Sequence, residues 1–276
     1  MTGLRFTKMH GAGNDFVILD RLLGAAWPDT ALARRLADRH FGVGCDQIML
    51  IERAVNVGSA FAYQILNADG SSAGQCGNGA RCVARYLRDR HNLADGAMLD
   101  SPGGVIVVRF LAEDQVELAL GVPRLQPSEV PFLSASRSTR YALDVAGQRV
   151  QISALSMGNP HAVCMVERVS DAPVASLGPM IETHPQFPDR ANVGFVEIVD
   201  RAHVRLRVWE RGVGETLACG SGASAAVVAM QLLGAVDQNV VVDLPGGRLR
   251  VRWQGEGCTV YLAGPAEFVF DGEFYL

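Results

Sequence analysis

Cys76-Gly77-Asn78-Gly79-Ala80 and Cys219-Gly220-Ser221-Gly222-Ala223 are one five-residue pattern written twice, 143 positions apart in a chain of 276 residues. At the same offset Pro102-Gly103-Gly104 answers Pro245-Gly246-Gly247, and Val108-Arg109-Phe110 answers Val251-Arg252-Trp253. Three matches in a single register, spaced by about half the chain, make an internal repeat. The repeat predicts two similarly folded halves, residues 1–121 and 122–264, joined where Pro123, Pro127 and Pro131 punctuate a weakly patterned stretch.

Around the repeated pattern, apolar and β-branched runs bounded by turn residues recur at 16–19, 47–51, 61–66, 105–111, 115–120, 149–155, 193–199, 203–209, 240–244, 248–253, 259–262 and 267–270. They read as strands. Helices are fewer. Ala80, Val83, Ala84 and Leu87 fall at helical spacing and form one apolar face, with Arg81, Arg85 and Arg88 assigned to the other. The stretch 223–233 is apolar almost all round, apart from Ser224 and Gln231, which suits a helix enclosed by a sheet. A third, amphipathic helix is expected at 30–40, on the periphery. The predicted class is therefore α+β: two pseudo-symmetric domains, each a mainly antiparallel sheet wrapped around a central helix.

Composition narrows the function. The net charge of −4, from 25 basic and 29 acidic residues, provides no global positive field for nucleic acid phosphates or an anionic membrane. No apolar run approaches the roughly 20 residues of a membrane helix, and Met1-Thr2-Gly3-Leu4-Arg5 lacks the apolar core of a leader, so a cytoplasmic protein is expected. Six cysteines are too few for a disulfide scaffold. Cys45, Cys82, Cys164 and Cys258 lie in or beside regular elements and read as core packing. Cys76 and Cys82 lack zinc spacing, so no metal is expected. Lys8 is the only lysine, which leaves one candidate amine for Schiff-base chemistry. Gly11-Ala12-Gly13-Asn14 and Gly42-Val43-Gly44 lack the third glycine of a dinucleotide fingerprint, and phosphate-loop and G-x-S-x-G motifs are missing.

Each repeated cysteine stands just ahead of a helix whose first-turn amides are unpaired and partly positive, a setting that favours thiolate. The glycines leave that backbone open to a ligand carboxylate. Two sulfurs and two anion-binding helix ends facing one cleft suit inversion at a carbon bearing an acidic hydrogen. One group removes the proton, a chemically similar group returns one on the opposite face, and no cofactor is required in principle. The repeat extends to polar residues: Asn67 and Glu210 each precede their cysteine by nine positions, while Asn14 and Asn159, and Gln47 and Asn192, correspond at an offset of 145. Singly, each such residue also fits a turn or cap, and His161 fits a structural place at a strand start. A thiol redox sensor, with two regulatory cysteines and no catalysis, is the alternative from another class.

The segments 8–16 (Lys8-Met9-His10-Gly11-Ala12-Gly13-Asn14-Asp15-Phe16), 67–71, 75–82, 158–163, 209–216 and 218–222 together resemble diaminopimelate epimerases, amino acid epimerases that use no pyridoxal phosphate. The resemblance spans nearly the whole chain. It implies epimerisation of LL-2,6-diaminopimelate to the meso form, in lysine and peptidoglycan precursor synthesis, with no cofactor. Cys76 and Cys219 would be the acid/base pair, tuned and oriented by His161 and Glu210. The amides at Gly77, Asn78, Gly220 and Ser221 would hold the reacting carboxylate. Asn14, Gln47, Asn67, Asn159, Asn192, Glu210 and Arg211 would recognise the rest of the substrate, the planar Arg211 fork suiting a carboxylate. Ser221 stands where such enzymes often have Thr, and Ser72 where Glu is common. The resemblance also implies that residues 265–276 return to the first domain, that the halves close on substrate, and that the protein is a homodimer. Proline and hydroxyproline racemases look similar around the second cysteine, but an imino acid would leave Arg211, Asn159 and Asn192 without partners.

Overall fold

The computed structural model describes residues 3–276; Met1 and Thr2, where the segment read as lacking a leader core begins, lie outside them. The chain forms two compact units, one running to Leu118 and taking back Gly264–Leu276, the other Ala119–Ala263. The expected joint at 121/122 and the observed one at 118/119 differ by three residues.

In the first unit the strands are β1 (Gly3–Gly11), β2 (Asn14–Asp20), β3 (Gln47–Arg53), β4 (Ser59–Asn67), β5 (Met98–Ser101), β6 (Gly104–Phe110) and β7 (Gln115–Ala119). The C-terminal strand Glu267–Tyr275 lies antiparallel on β1. From that strand inward the pairings run antiparallel to β1, antiparallel to β2, parallel to β3, antiparallel to β4, parallel to β5, then antiparallel through β6 and β7. The second unit holds β8 (Tyr141–Val145), β9 (Gln148–Ser156), β10 (Pro160–Val166), β11 (Asn192–Asp200), β12 (His203–Glu210), β13 (Gly214–Thr216), β14 (Asn239–Leu244), β15 (Gly247–Arg252) and β16 (Tyr261–Pro265). With the short β13 hairpin set aside, its order β8-β9-β10-β11-β12-β14-β15-β16 repeats the same succession of antiparallel and parallel neighbours. The repeat read from the glycine motifs is thus a repeat of topology.

Among the described residues four α-helices complete the fold: α1 (Thr30–Ala37), α2 (Gly77–His91), α3 (Val174–Glu182) and α4 (Gly220–Leu232). In α4 every residue from Gly220 to Met230 except Ser221 is buried, as its all-round apolar sequence requires. In α2 the expected division into faces fails at Arg81, which is fully buried. Its Nη2 donates to Asn78 Oδ1 at 2.8 Å and its Nε to the Pro265 carbonyl at 3.3 Å, so hydrogen bonds carry a cation that periodicity had assigned to water. Helix α1 stops at Ala37 rather than 40, because the Asp38 carboxylate accepts from the His40 and Phe41 amides and turns the chain. Among the described residues, no helix is long and apolar enough to cross a membrane.

The strands aim their ends at the two helix starts. Ala12 and Gly13 both have positive φ, +53° and +81°, and join β1 to β2 as a two-residue hairpin that closes on the Gly11–Asn14 pair. That turn puts Asn14 at the rim. Gln47 opens β3 directly opposite Asn67, the last residue of β4. The second unit repeats the plan: Asn159 precedes β10, Asn192 opens β11 beside His161, and Glu210 closes β12. Beneath these rims, Val17, Leu19, Ile48, Leu50 and Leu36 form a packed cluster in the first unit. Val193, Phe195, Ala162, Ile181 and Phe187 do so in the second.

Candidate active site

Cys76 is the N-cap of α2 and Cys219 the N-cap of α4, each extended in φ and ψ, and each followed by a first helical bond of 2.9 Å from Ala80 or Ala223 back to the cysteine carbonyl. Gly77 and Asn78, and Gly220 and Ser221, therefore occupy the first turns, where backbone amides have no intrahelical acceptor. Glycine one position further on keeps the packing close. A Cβ on Gly79 would stand 2.8 Å from the Met49 sulfur, and one on Gly222 3.3 Å from Cys219 Sγ and 3.1 Å from Val208.

In the first unit the half-buried Cys76 sulfur accepts from the Gly79 amide at 3.3 Å and donates to Asn14 Oδ1 at 3.7 Å. Asn78 Nδ2 donates to the same oxygen at 3.3 Å. Gln47 Nε2 donates to Asn67 Oδ1 at 3.0 Å, and Asn67 Nδ2 to Ser71 Oγ at 3.0 Å. All five first-half residues proposed from sequence, with Gly77, thus sit at one end of one sheet and helix.

In the second unit Cys219 is buried, and burial pushes its thiol well above the ordinary value of 9.0. The Glu210 carboxylate beside it pushes in the same direction, while the Ser221 hydroxyl at 3.6 Å and the Gly222 amide oppose without prevailing. Helix-end reasoning alone favoured thiolate at both cysteines. For Cys219 desolvation and the neighbouring carboxylate outweigh the helix end, and the sulfur rests as a thiol. Glu210 is itself held by the Thr216 hydroxyl at 2.5 Å. His161 is buried, and burial together with the charge of Arg211 lowers it from 6.5 to about 3. A neutral ring results, with Nε2–H donating to Asn159 Oδ1 at 3.0 Å. The buried Asn192 donates to the Pro160 carbonyl at 3.1 Å and accepts the Arg211 amide at 3.0 Å; Arg211 Nη1 reaches the Asp189 carbonyl at 2.9 Å.

Several participants were not expected. Lys8, the single lysine, pairs with Asp15 at 2.6 Å and also donates to the Gly44 carbonyl. Arg39 contacts both Asp15 and Asp46, and Asp46 accepts from Asn14 Nδ2 at 2.6 Å. Burial pushes the Asp15 carboxyl up, but hydrogen bonds from Arg39 and Lys8 and their charges hold it well below the usual carboxylate range. The sequence signal was adjacency, because Asp15 follows Asn14 and Asp46 precedes Gln47. Cys45, Cys82 and Cys164 are buried, with Cys45 pushed up to about 11 and Cys164 to about 12 by desolvation. Cys258 is half-buried in a turn, its carbonyl accepting from Trp253 Nε1 at 3.0 Å. Among the described residues, no group of three or more His, Cys, Asp or Glu is arranged to hold a metal ion.

Solved structures with the same architecture include a hydroxyproline epimerase from Agrobacterium vitis, with a TM-score of 0.69 and 15% identity over 99% of this chain and 92% of that one. A PhzF-family phenazine biosynthesis protein from Bacillus anthracis gives a TM-score of 0.70 at 15% identity, covering all of both chains. At that identity the likeness is one of fold. In sequence, the diaminopimelate epimerase family model matches residues 6–126 and 153–269. A protein named diaminopimelate epimerase from Xanthomonas euvesicatoria pv. vesicatoria is 55% identical over 273 residues, 98% of this chain and 96% of its own. One of the same name from Pseudomonas syringae pv. tomato is 48% identical over 274 residues, 99% of each chain. Matches on both halves of the repeat, each with its cysteine-capped helix, place the chain in the diaminopimelate epimerase family.

Proposed function

We propose that this protein is an isomerase that epimerises LL-2,6-diaminopimelate to meso-diaminopimelate, in lysine and peptidoglycan precursor biosynthesis, with no cofactor. The observation that carries the reading is a pair of cysteine-capped helices with glycine-bared first turns, in a chain of the diaminopimelate epimerase family. The chemistry needs one thiolate and one thiol, on opposite faces of the α-carbon. In one direction Cys76 removes the α-proton and Cys219, resting as a thiol, returns one; the reverse reaction exchanges the roles. As the proton leaves, negative charge spreads into the α-carboxylate. The amides of Gly77, Asn78, Gly220 and Ser221 meet that charge as fixed dipoles, which need no reorganisation during the step.

Burial and the Glu210 carboxylate keep Cys219 protonated, and His161, as a neutral ring, orients Asn159. Asn14, Gln47, Asn67, Asn159, Asn192, Glu210 and Arg211 supply the amide, carboxylate and guanidinium groups that an extended substrate with two amino acid ends requires. Closure of the two halves on substrate would exclude water and strengthen these interactions. The tying of Lys8 to Asp15 supports a reaction that makes no use of a lysine amine. The reading extends to a cytoplasmic homodimer.

Substrate choice is tested by supplying LL-diaminopimelate and L-proline separately to purified protein and following inversion by chiral chromatography. Diaminopimelate is expected to turn over and proline to remain unchanged. The opposite result would place the protein with the imino acid racemases.

A further inference from the structure

Asn14 meets Cys76 with its carbonyl oxygen, and two independent constraints fix that orientation. From one side, Asn14 Nδ2 donates to Asp46 Oδ2 at 2.6 Å. A carboxylate only accepts, so the NH2 end of the amide must face it. From the other side, Arg81 Nη2 donates to Asn78 Oδ1 at 2.8 Å, which turns Asn78 Nδ2 outward to Asn14 at 3.3 Å. The end of Asn14 that receives it must be oxygen, and Cys76 Sγ lies 3.7 Å from that oxygen. Asp46 is itself clasped. It and Asp15 accept each other's backbone amides, at 3.1 and 3.0 Å, and Arg39 Nη2 bridges the two carboxylates at 2.8 and 2.7 Å. Lys8 holds Asp15 from beneath.

We propose that Asp46 is a positioning residue for Cys76: its carboxylate holds the Asn14 amide with oxygen rather than NH2 toward the sulfur, and so favours the thiol over the thiolate. A carbonyl oxygen accepts from S–H and opposes S⁻, whereas an NH2 in the same place would donate to S⁻ and favour it. The Gly79 amide, which donates to the sulfur, pulls the other way. The clasp thus sets the balance at a cysteine that the helix end would otherwise leave more ionised. Other charged or titratable groups that bear on this sulfur within the first unit include Arg81 and Cys82 on α2 and Tyr63 on β4, with Lys8, Asp15 and Arg39 behind Asn14. The catalytic meaning rests on Cys76 being one of the acid/base pair; the positioning itself does not.

The test is site-resolved alkylation of the intact protein by iodoacetamide across pH, with the Cys76 peptide followed by mass mapping. Asp46→Asn presents both donor and acceptor and so releases the shorter of the two contacts that orient the amide, leaving only the longer one from Asn78 Nδ2. Its Cys76 midpoint should fall by about one unit, giving about tenfold more thiolate below the midpoint. Asn14→Ala should lower the midpoint as well, and adding Asp46→Asn to it should then do little. Asp46→Glu, which keeps an acceptor-only group, should stay nearer the unmutated value. An unchanged midpoint in a natively melting Asp46→Asn protein would overturn the proposal. So would an undiminished fall in the Asn14→Ala background, since Asp46 would then act by charge through space. If Asp46→Asn does not fold, Asp46→Ser, which also offers both donor and acceptor, decides in its place when measured with and without Asn14→Ala. Turnover measured in parallel separates the two readings: a shifted midpoint with an unchanged pH–rate profile would remove Cys76 from the chemistry and leave the positioning in place.

Discussion

Cys76 and Cys219 cap matching helices in two copies of one topology, yet different groups press on the two sulfurs. Cys76 is half-buried between a neutral carbonyl from Asn14 and a helix amide from Gly79. Cys219 is buried, and burial, with the Glu210 carboxylate beside it, raises its thiol. Part of the contrast follows the repeat, because Asn67 in the first unit stands where the charged Glu210 stands in the second. The scaffold fixes where each sulfur sits; at Cys219 burial, reinforced by a single side chain at the sheet rim, makes the thiol harder to ionise. A reaction that needs one proton taken and one given is served by that inequality.

Removing either sulfur has the largest expected effect. Cys76→Ala and Cys219→Ala should each lower kcat by on the order of 10²- to 10⁴-fold or more while the circular dichroism spectrum is kept. Full activity in either would end the two-thiol reading. A smaller effect is expected at His161, which protonates at about 3 in the fold and at an ordinary 6.5 unfolded. Between those values the unfolded chain binds the proton that the native protein refuses, so stability is complete above about 6.5 and declines as pH falls toward 3. The full contribution is on the order of a few kcal/mol. Urea unfolding at several pH values should show a shallower decline in His161→Gln than in the parent, and parallel slopes would deny the buried neutral ring. Smallest is Glu210→Gln, which removes the charge facing Cys219. The alkylation midpoint of that cysteine should fall by about one unit, with Cys76 unmoved. A rise, or equal shifts at both cysteines, would erase the contrast between the half-sites.

How far these features were legible in the sequence follows from the range of the forces involved. The repeat, the strand-rich class and the two cysteine-capped helices could be read because short glycine motifs and apolar periodicity are local signals. Helix α3 was not read, because Gly178 and Pro179 look like a break. Gly178 instead lets the helix lie on Trp209, whose Cβ would stand 2.8 Å from any Cβ placed there. Strand β1 was missed for another reason: its Lys8 and His10 interrupt the apolar pattern, and Lys8 becomes buried only by pairing with Asp15 on β2. Among the candidate site residues, the sequence indicated which polar groups belong to each rim. It did not show which way Asn14 faces or that Cys219 rests protonated, since both depend on surroundings assembled by the fold, Asp46 for the one and burial beside Glu210 for the other.

The most direct measurement is the fate of the α-hydrogen in deuterium oxide. LL-diaminopimelate is mixed with the protein, and substrate and product are recovered within the first few per cent of conversion. A thiolate that takes the substrate proton and a separate, solvent-exchanged thiol that returns a deuteron should give meso product carrying one deuterium at the inverted carbon, while the unreacted LL substrate retains protium. Product that keeps the original protium would mean that one group both removes and returns it, and would contradict the division of labour between Cys76 and Cys219.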